Sequence, residues 1–305
     1  MHNKALFQQP MRPWTELKPF GKKIKLPEMN LDLFILEAGK NERASLVMIH
    51  GLGDEADTWR HVFLPLAEDY HVIALDLPGF GRSDKPKMKY TPKFLMGSIM
   101  QLIAQLQLKN ITLIGSSLGG ILSHALAIKT TDLFSGLILV GGGLLQLGPM
   151  GDWSLHLMQI PILGEWLYTR LRKDPSAAFA SLRNVYHDLN HLPREDRDFL
   201  YLRVNQRVWS DEQRRAYFST LRHLNPWIKM CQSGLPGQLS QLNTPTFLIR
   251  GEFDRLFSEE NAKGISNVQP NASMNTIENS GHLPHQEAPT KFLKVVRQWL
   301  GSQKI

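Results

Sequence analysis

The stretch Ile111-Thr112-Leu113-Ile114-Gly115-Ser116-Ser117-Leu118-Gly119-Gly120 decides the fold. Ile111 to Gly115 is almost continuously apolar, as expected of a strand covered on both faces. Leu118 to Lys129 reads as a helix. The junction spells G-x-S-x-G over Gly115 to Gly119. A serine between such a strand and helix sits on a sharp, strained turn that lifts its hydroxyl above the sheet. Glycines two before and two after it are needed because a Cβ would clash where strand and helix cross. The first amides of the helix favour developing negative charge. Ser117 is therefore the candidate nucleophile, and Ser116, in the x position, points elsewhere. An ordinary turn with Ser117 as helix N-cap is the competing reading. It explains the serine but not the motifs around it.

Outward from this junction the chain alternates. Lys22 to Leu26 and Leu31 to Ala38 are short β-like runs around Pro27. Ser45 to His50, Val72 to Asp76 and Leu133 to Val140 read as strands. Thr58 to Tyr70 and Pro92 to Leu108 read as helices. Apolar strands alternating with helices of this length predict βαβ units and a mostly parallel sheet. The rhythm breaks at Gly141-Gly142-Gly143. From Leu144 to Leu242 there is no buried-strand run, yet four of the seven Trp fall here. A structureless loop of that length does not fit a compact domain, so residues 144–242 should be a helical insertion. The strand–helix rhythm resumes with strands at Pro245 to Arg250 and Ala272 to Ile277, and helices at Ser258 to Ser266 and Pro289 to Leu300. The expected organisation is an irregular arm over 1–21, a core over 22–143 and 243–305, and a helical cap over 144–242.

A serine at its free pKa is a poor nucleophile and needs a base oriented by an acid. In chain order these follow the serine as acid, then histidine. Asp254, in Gly251-Glu252-Phe253-Asp254, and His282, in Ser280-Gly281-His282, each follow a strand. That places them at the sheet edge where Ser117 emerges. Glu252 competes with Asp254, and His285 with His282. Acyl transfer also needs two N–H donors for the tetrahedral oxyanion. The Leu118 amide supplies one, and Leu52, in His50-Gly51-Leu52-Gly53, the other. His50 and Asp76, the latter in Asp76-Leu77-Pro78-Gly79-Phe80-Gly81-Arg82-Ser83, read as structural.

Taken with Gly115 to Gly120, these segments resemble the cap-bearing branch of the α/β-hydrolase superfamily. That branch includes small esterases, meta-cleavage-product hydrolases, cofactor-free haloperoxidases, epoxide hydrolases and haloalkane dehalogenases. The resemblance spans Leu31 to Val140 and Asn243 to Leu300. It implies an α/β-hydrolase fold, with a mostly parallel eight-stranded sheet flanked by helices and a helical cap inserted after the sixth strand. Dehalogenases and epoxide hydrolases of this branch carry Asp where Ser117 stands, which disfavours both. Meta-cleavage-product hydrolases use serine but usually follow the histidine with Trp, where this chain has Leu283. The leading expectation is hydrolysis of a small-molecule carboxylic ester through an acyl-enzyme, with no metal or organic cofactor. C–C bond or lactone hydrolysis with the same triad is the alternative, and a ligand receptor on this fold the non-enzymatic one. Trp153, Leu157, Trp166 and Leu283 are candidates for the substrate pocket. Arg170, Arg172, Arg183, Arg203 and Arg207 are candidates to meet a substrate carboxylate, most of them being expected in solvent.

Composition bounds the rest. The chain has 305 residues, and at roughly 150 residues per domain it holds about two domains or one large α/β unit. With 42% hydrophobic and 21% charged residues it is globular and not disordered. Cys231 is the only cysteine, which excludes an internal disulfide framework and a cysteine-based zinc site; it reads as an ordinary buried thiol. The net charge is +7, but Lys18 to Lys25, Arg82 to Lys93 and Arg170 to Lys173 read as solvated faces, and no nucleic-acid partner is expected. The sequence shows neither a signal-peptide pattern nor an apolar run of membrane-spanning length, so a cytoplasmic protein without stable membrane insertion is expected.

Overall fold

A computed structural model describes residues 4–41, 43–130, 132–145 and 157–303. Eight strands form one sheet in the order β1-β2-β4-β3-β5-β6-β7-β8. They are β1 (Gly21–Leu26), β2 (Leu31–Ala38), β3 (Ser45–Ile49), β4 (His71–Leu75), β5 (Ile111–Ser116), β6 (Phe134–Val140), β7 (Thr246–Gly251) and β8 (Ala272–Ile277). β1 and β2 run antiparallel to their neighbours, and all pairings from β4 to β8 are parallel. Every residue of β3, β4, β5 and β7 is buried. The period of two explains their unbroken apolar spelling, because Val47 and Ile49 enter one core while Leu46 and Met48 enter the other.

The described helices are α1 (Lys4–Phe7), α2 (Phe63–Ala67), α3 (Pro92–Gln105), α4 (Leu118–Lys129), α5 (Leu163–Arg170), α6 (Pro175–Ala180), α7 (Arg194–Trp209), α8 (Asp211–Gln232), α9 (Leu235–Ser240), α10 (Glu259–Val268), α11 (Pro284–Glu287) and α12 (Pro289–Ser302). Helices α5 to α9 all fall between β6 and β7, and no strand interrupts them among the described residues.

Two local expectations change. The helix expected over Thr58 to Tyr70 is a 3₁₀ turn at Ala56–Trp59 followed by the short α2. Pro65 lacks an N–H and is confined to a first helical turn, so α2 starts only at Phe63. The arm over 1–21 is anchored: Leu17 is fully buried, Trp14 nearly so, and the Trp14 amide donates to Asp57 Oδ1 at 2.5 Å. A 3₁₀ turn at Thr15–Phe20 leads from it into β1.

The elbow at Ser117 depends on backbone contact. A Cβ on Gly119 would lie 2.2 Å from the Ile49 carbonyl oxygen, and one on Gly115 would lie 2.3 Å from the Gly119 carbonyl carbon. Gly119→Ala is expected to cost about 3 kcal/mol in urea unfolding, because backbone must move to admit the methyl. Gly97→Ala in α3, where a Cβ would meet nothing within 4 Å, is the control and should lose no stability. Equal effects at the two sites would contradict this packing.

Two histidines, His124 and His285, are fully buried. Burial pushes His285 down to about 3 and His124 to about 4. With an ordinary value of 6.5, both are neutral when folded and take up protons on unfolding as pH drops below 6.5. Their contribution is complete above 6.5 and lost progressively toward 3 to 4, roughly 2 kcal/mol each by pH 5. The urea midpoint should therefore fall between pH 7 and 5, and less steeply in His124→Asn. An identical slope in that variant would refute the assignment.

Candidate active site

Ser117 joins β5 to α4 with φ 52° and ψ −114°, a conformation costly for a residue with a Cβ. The surroundings fix it. Its N–H donates to the Val140 carbonyl at 2.8 Å, and its carbonyl accepts from the Ile121 amide at 3.0 Å. Gly142 lies so close that a Cβ there would stand 2.4 Å from the Ser117 carbonyl oxygen. As the first residue of α4, Leu118 has an amide with no acceptor inside the helix. Gly51 passes beside the serine, where a Cβ would lie 3.9 Å from Oγ, and Leu52 lines the same cavity.

Asp254 follows β7 with its carboxylate fully buried. Its Oδ1 accepts from the Leu256 and Phe257 amides at 2.9 and 3.0 Å, and both of its oxygens stand 2.9 Å from His282 Nδ1. A carboxylate on Nδ1 places the ring proton there and leaves Nε2 as an acceptor. Nε2 is buried without a hydrogen-bond partner among the described residues, and the ring lines the cavity that Ser117 enters.

The turn carrying His282 is tied to the helical segment. The His282 amide donates to the Val185 carbonyl at 2.8 Å. Glu287 accepts from the Gly281 and His187 amides, each at 2.7 Å, and the Tyr186 hydroxyl donates to Gln286 at 2.7 Å. The His187 ring stacks on Phe253, next to Asp254, with centroids 3.9 Å apart.

The competing residues have other partners. Glu252 is exposed and accepts from the Asn279 amide at 3.0 Å. His285 packs on Trp59 and lies 3.0 Å from the Thr58 hydroxyl. His50 accepts from the Leu77 amide through Nε2 at 2.9 Å. Asp76 accepts from the Ala56 and Arg82 amides, each at 2.7 Å, and from the Arg82 side chain.

The cavity holds about 270 Å³. Leu283 lines it, as do Val185, Leu221, Leu224 and Phe257. Leu157 and Trp166 do not; Trp166 is 52% exposed, and Trp153 lies outside the described residues. Among the described lining residues Arg207 is the one Lys or Arg, and it is already engaged. It pairs with Asp54 and, at 2.8 Å, with Glu55. Burial alone would neutralise such groups, but mutual attraction holds Asp54 below and Arg207 above their ordinary values. Arg203, another of the candidates to meet a substrate carboxylate, is buried 3.0 Å from Glu55, and Arg82, from a stretch expected to be a solvated face, is buried 2.7 Å from Asp57. Sequence patterning gives no sign of these pairs, because their members stand up to 153 positions apart. Cys231 is half-buried on α8, and burial pushes its thiol up. Among the described residues no group of His, Cys, Asp and Glu is placed to hold a metal ion.

Comparison with known proteins agrees with this architecture. Residues 44–289 match the model of a family described by the alpha/beta hydrolase fold. The uncharacterized hydrolase YugF of Bacillus subtilis is 32% identical over 251 residues, covering 81% of this chain and 86% of that protein. The 2-hydroxy-6-oxo-6-(2'-aminophenyl)hexa-2,4-dienoic acid hydrolase of Metapseudomonas resinovorans is 25% identical, over 87% and 86% of the two chains. A thermophilic esterase from Thermogutta terrifontis superposes with a TM-score of 0.72 at 21% identity, over 93% of this chain and 98% of that one. The chain is a hydrolase of the alpha/beta hydrolase family.

Proposed function

We propose that this hydrolase cleaves carboxylic esters through an acyl-enzyme on Ser117. The observation that carries the reading is one cavity shared by a serine on a strained strand–helix turn and a histidine whose far nitrogen is held by a buried aspartate. His282 Nε2 takes the Ser117 proton as Oγ attacks the carbonyl carbon. Asp254 keeps the proton on Nδ1 and stabilises the imidazolium. The Leu52 and Leu118 amides receive the oxyanion. The imidazolium returns its proton to the departing alcohol. Water, deprotonated by His282, then releases the acid. Residues 144–242 act as the cap, and Leu283 with the apolar wall takes the acyl group.

The wall also bears on substrate class. A dienoate substrate, like that named for the Metapseudomonas hydrolase, brings a carboxylate that needs a cation. Here the Arg207 charge is answered by Asp54 and Glu55. A neutral ester suits this wall better than an anion.

A panel of p-nitrophenyl esters, lactones and vinylogous diketones tests the assignment. Turnover should be greatest on the esters, and Ser117→Ala should lower kcat by about 10³-fold or more with the fold intact. A fluorophosphonate should modify the wild type at Ser117 and leave Ser117→Ala unlabelled. Preference for diketones would move the reading to C–C hydrolysis. Inactivity on every substrate, with no labelling, would favour a ligand receptor.

A further inference from the structure

The turn leading into α5 places apolar side chains outward. Ile160, Ile162, Leu163 and Trp166 are 45%, 82%, 37% and 52% exposed. Leu163, Trp166 and Arg170 follow at helical spacing on one face, with the Arg170 guanidinium 4.6 Å from the centre of the Trp166 ring. At the tip, Ile162 has φ 70°, a conformation that a β-branched residue adopts only under constraint.

That constraint is built in. Glu165 accepts from the Ile162 amide at 2.9 Å and is itself gripped by Arg222 at 2.6 Å. Arg222 also donates to the Gln159 carbonyl at 3.1 Å. The turn closes through Leu163 N–H to the Pro161 carbonyl at 2.8 Å and Gly164 N–H to the Ile160 carbonyl at 3.0 Å. A Cβ on Gly164 would meet the Met158 carbonyl oxygen at 2.1 Å. Strain held this firmly, on a turn whose product is an exposed isoleucine, marks a presented surface.

Charge selects the occupant. Arg170 and Lys173 are exposed and form no ion pair among the described residues. The acidic groups nearby are engaged elsewhere: Glu165 by Arg222, Asp211 by Arg172 and Arg214, and Asp174 by the Ser176 and Ala177 amides. The whole chain carries +7. An aliphatic tip, a tryptophan and unpaired cations suit the boundary of an anionic bilayer, where indole sits at headgroup depth and Lys and Arg meet lipid phosphates. No described helix is long and apolar enough to cross a membrane.

We propose that the Ile160–Lys173 face docks this protein onto anionic lipid surfaces. Gln159, in the cavity wall, lies three residues before the tip, so docking would bring that edge of the cavity toward the lipid.

Co-sedimentation of the full chain with vesicles of equal parts phosphatidylglycerol and phosphatidylcholine tests this. The wild type should bind, more weakly as salt is raised and not to phosphatidylcholine alone. Ile162→Asp, which suits a positive φ, and the double charge reversal Arg170→Glu with Lys173→Glu should each weaken partitioning by about tenfold or more. Ile162→Asp should leave activity on a soluble ester unchanged, which shows that it folds. Ser117→Ala should bind as the wild type does, which separates docking from hydrolysis. No vesicle binding by the wild type, or equal binding by the variants, would overturn the proposal. So would self-association that Ile162→Asp abolishes without any lipid effect, since the face would then join two copies of this chain.

Discussion

Four carboxylates and three guanidinium groups share a buried volume where the loops after β3 and β4 meet α7. Asp54, Glu55, Asp57 and Asp76 face Arg82, Arg203 and Arg207. Taking any one of these charges out of water alone costs several kcal/mol, so none is tolerable without its partners. The two arginines from α7 are therefore held to core loops that supply their counter-charges. The Trp14 amide on Asp57 and the Arg203 contact with the Arg12 carbonyl draw the arm into the same assembly. The loop carrying Leu52 runs directly on into Asp54 and Glu55, so its far end is anchored in this cluster.

The same cluster decides what the cavity offers. An arginine in a hydrophobic wall would ordinarily attract an anion, but here its charge is closed on neighbouring carboxylates. On the outer turn at Ile162 the opposite holds. There the carboxylates are tied inward while Arg170 and Lys173 are left to solvent. Two regions of one helical segment thus differ less in residue type than in which charges already have partners.

Much of the core could be read in advance because its signals are local. Apolar runs gave the parallel strands, and the glycines around Ser117 gave the elbow. Asp254 and His282 were legible from their places after strands, and the structure brings the two within hydrogen-bonding distance. What stayed hidden depends on distant partners. Arg82, Arg203 and Arg207 look like solvent residues until Asp57, Glu55 and Asp54 stand beside them. Trp14 and Leu17 lie in a segment without periodicity and are buried through contacts made elsewhere. Trp166 has the composition of a pocket residue, but the strained turn before it directs that face outward. Such a turn, enforced by Arg222 sixty positions away, leaves no mark on local spacing.

The register of β6 against β7 has a consequence for how the molecule comes into being. Leu137 pairs with Thr246, across an excursion of roughly a hundred residues. Ser117 lies before that excursion, Asp254 and His282 after it. Strands β2 to β6 can collapse as soon as they exist, but β7 must find its edge after the intervening helices, and such non-local pairing is slow. The His282 turn then needs Val185 and His187 already in place. On the triad proposed above, assembly of the serine with its two partners is accordingly a late event, and activity would report the end of folding, not its beginning.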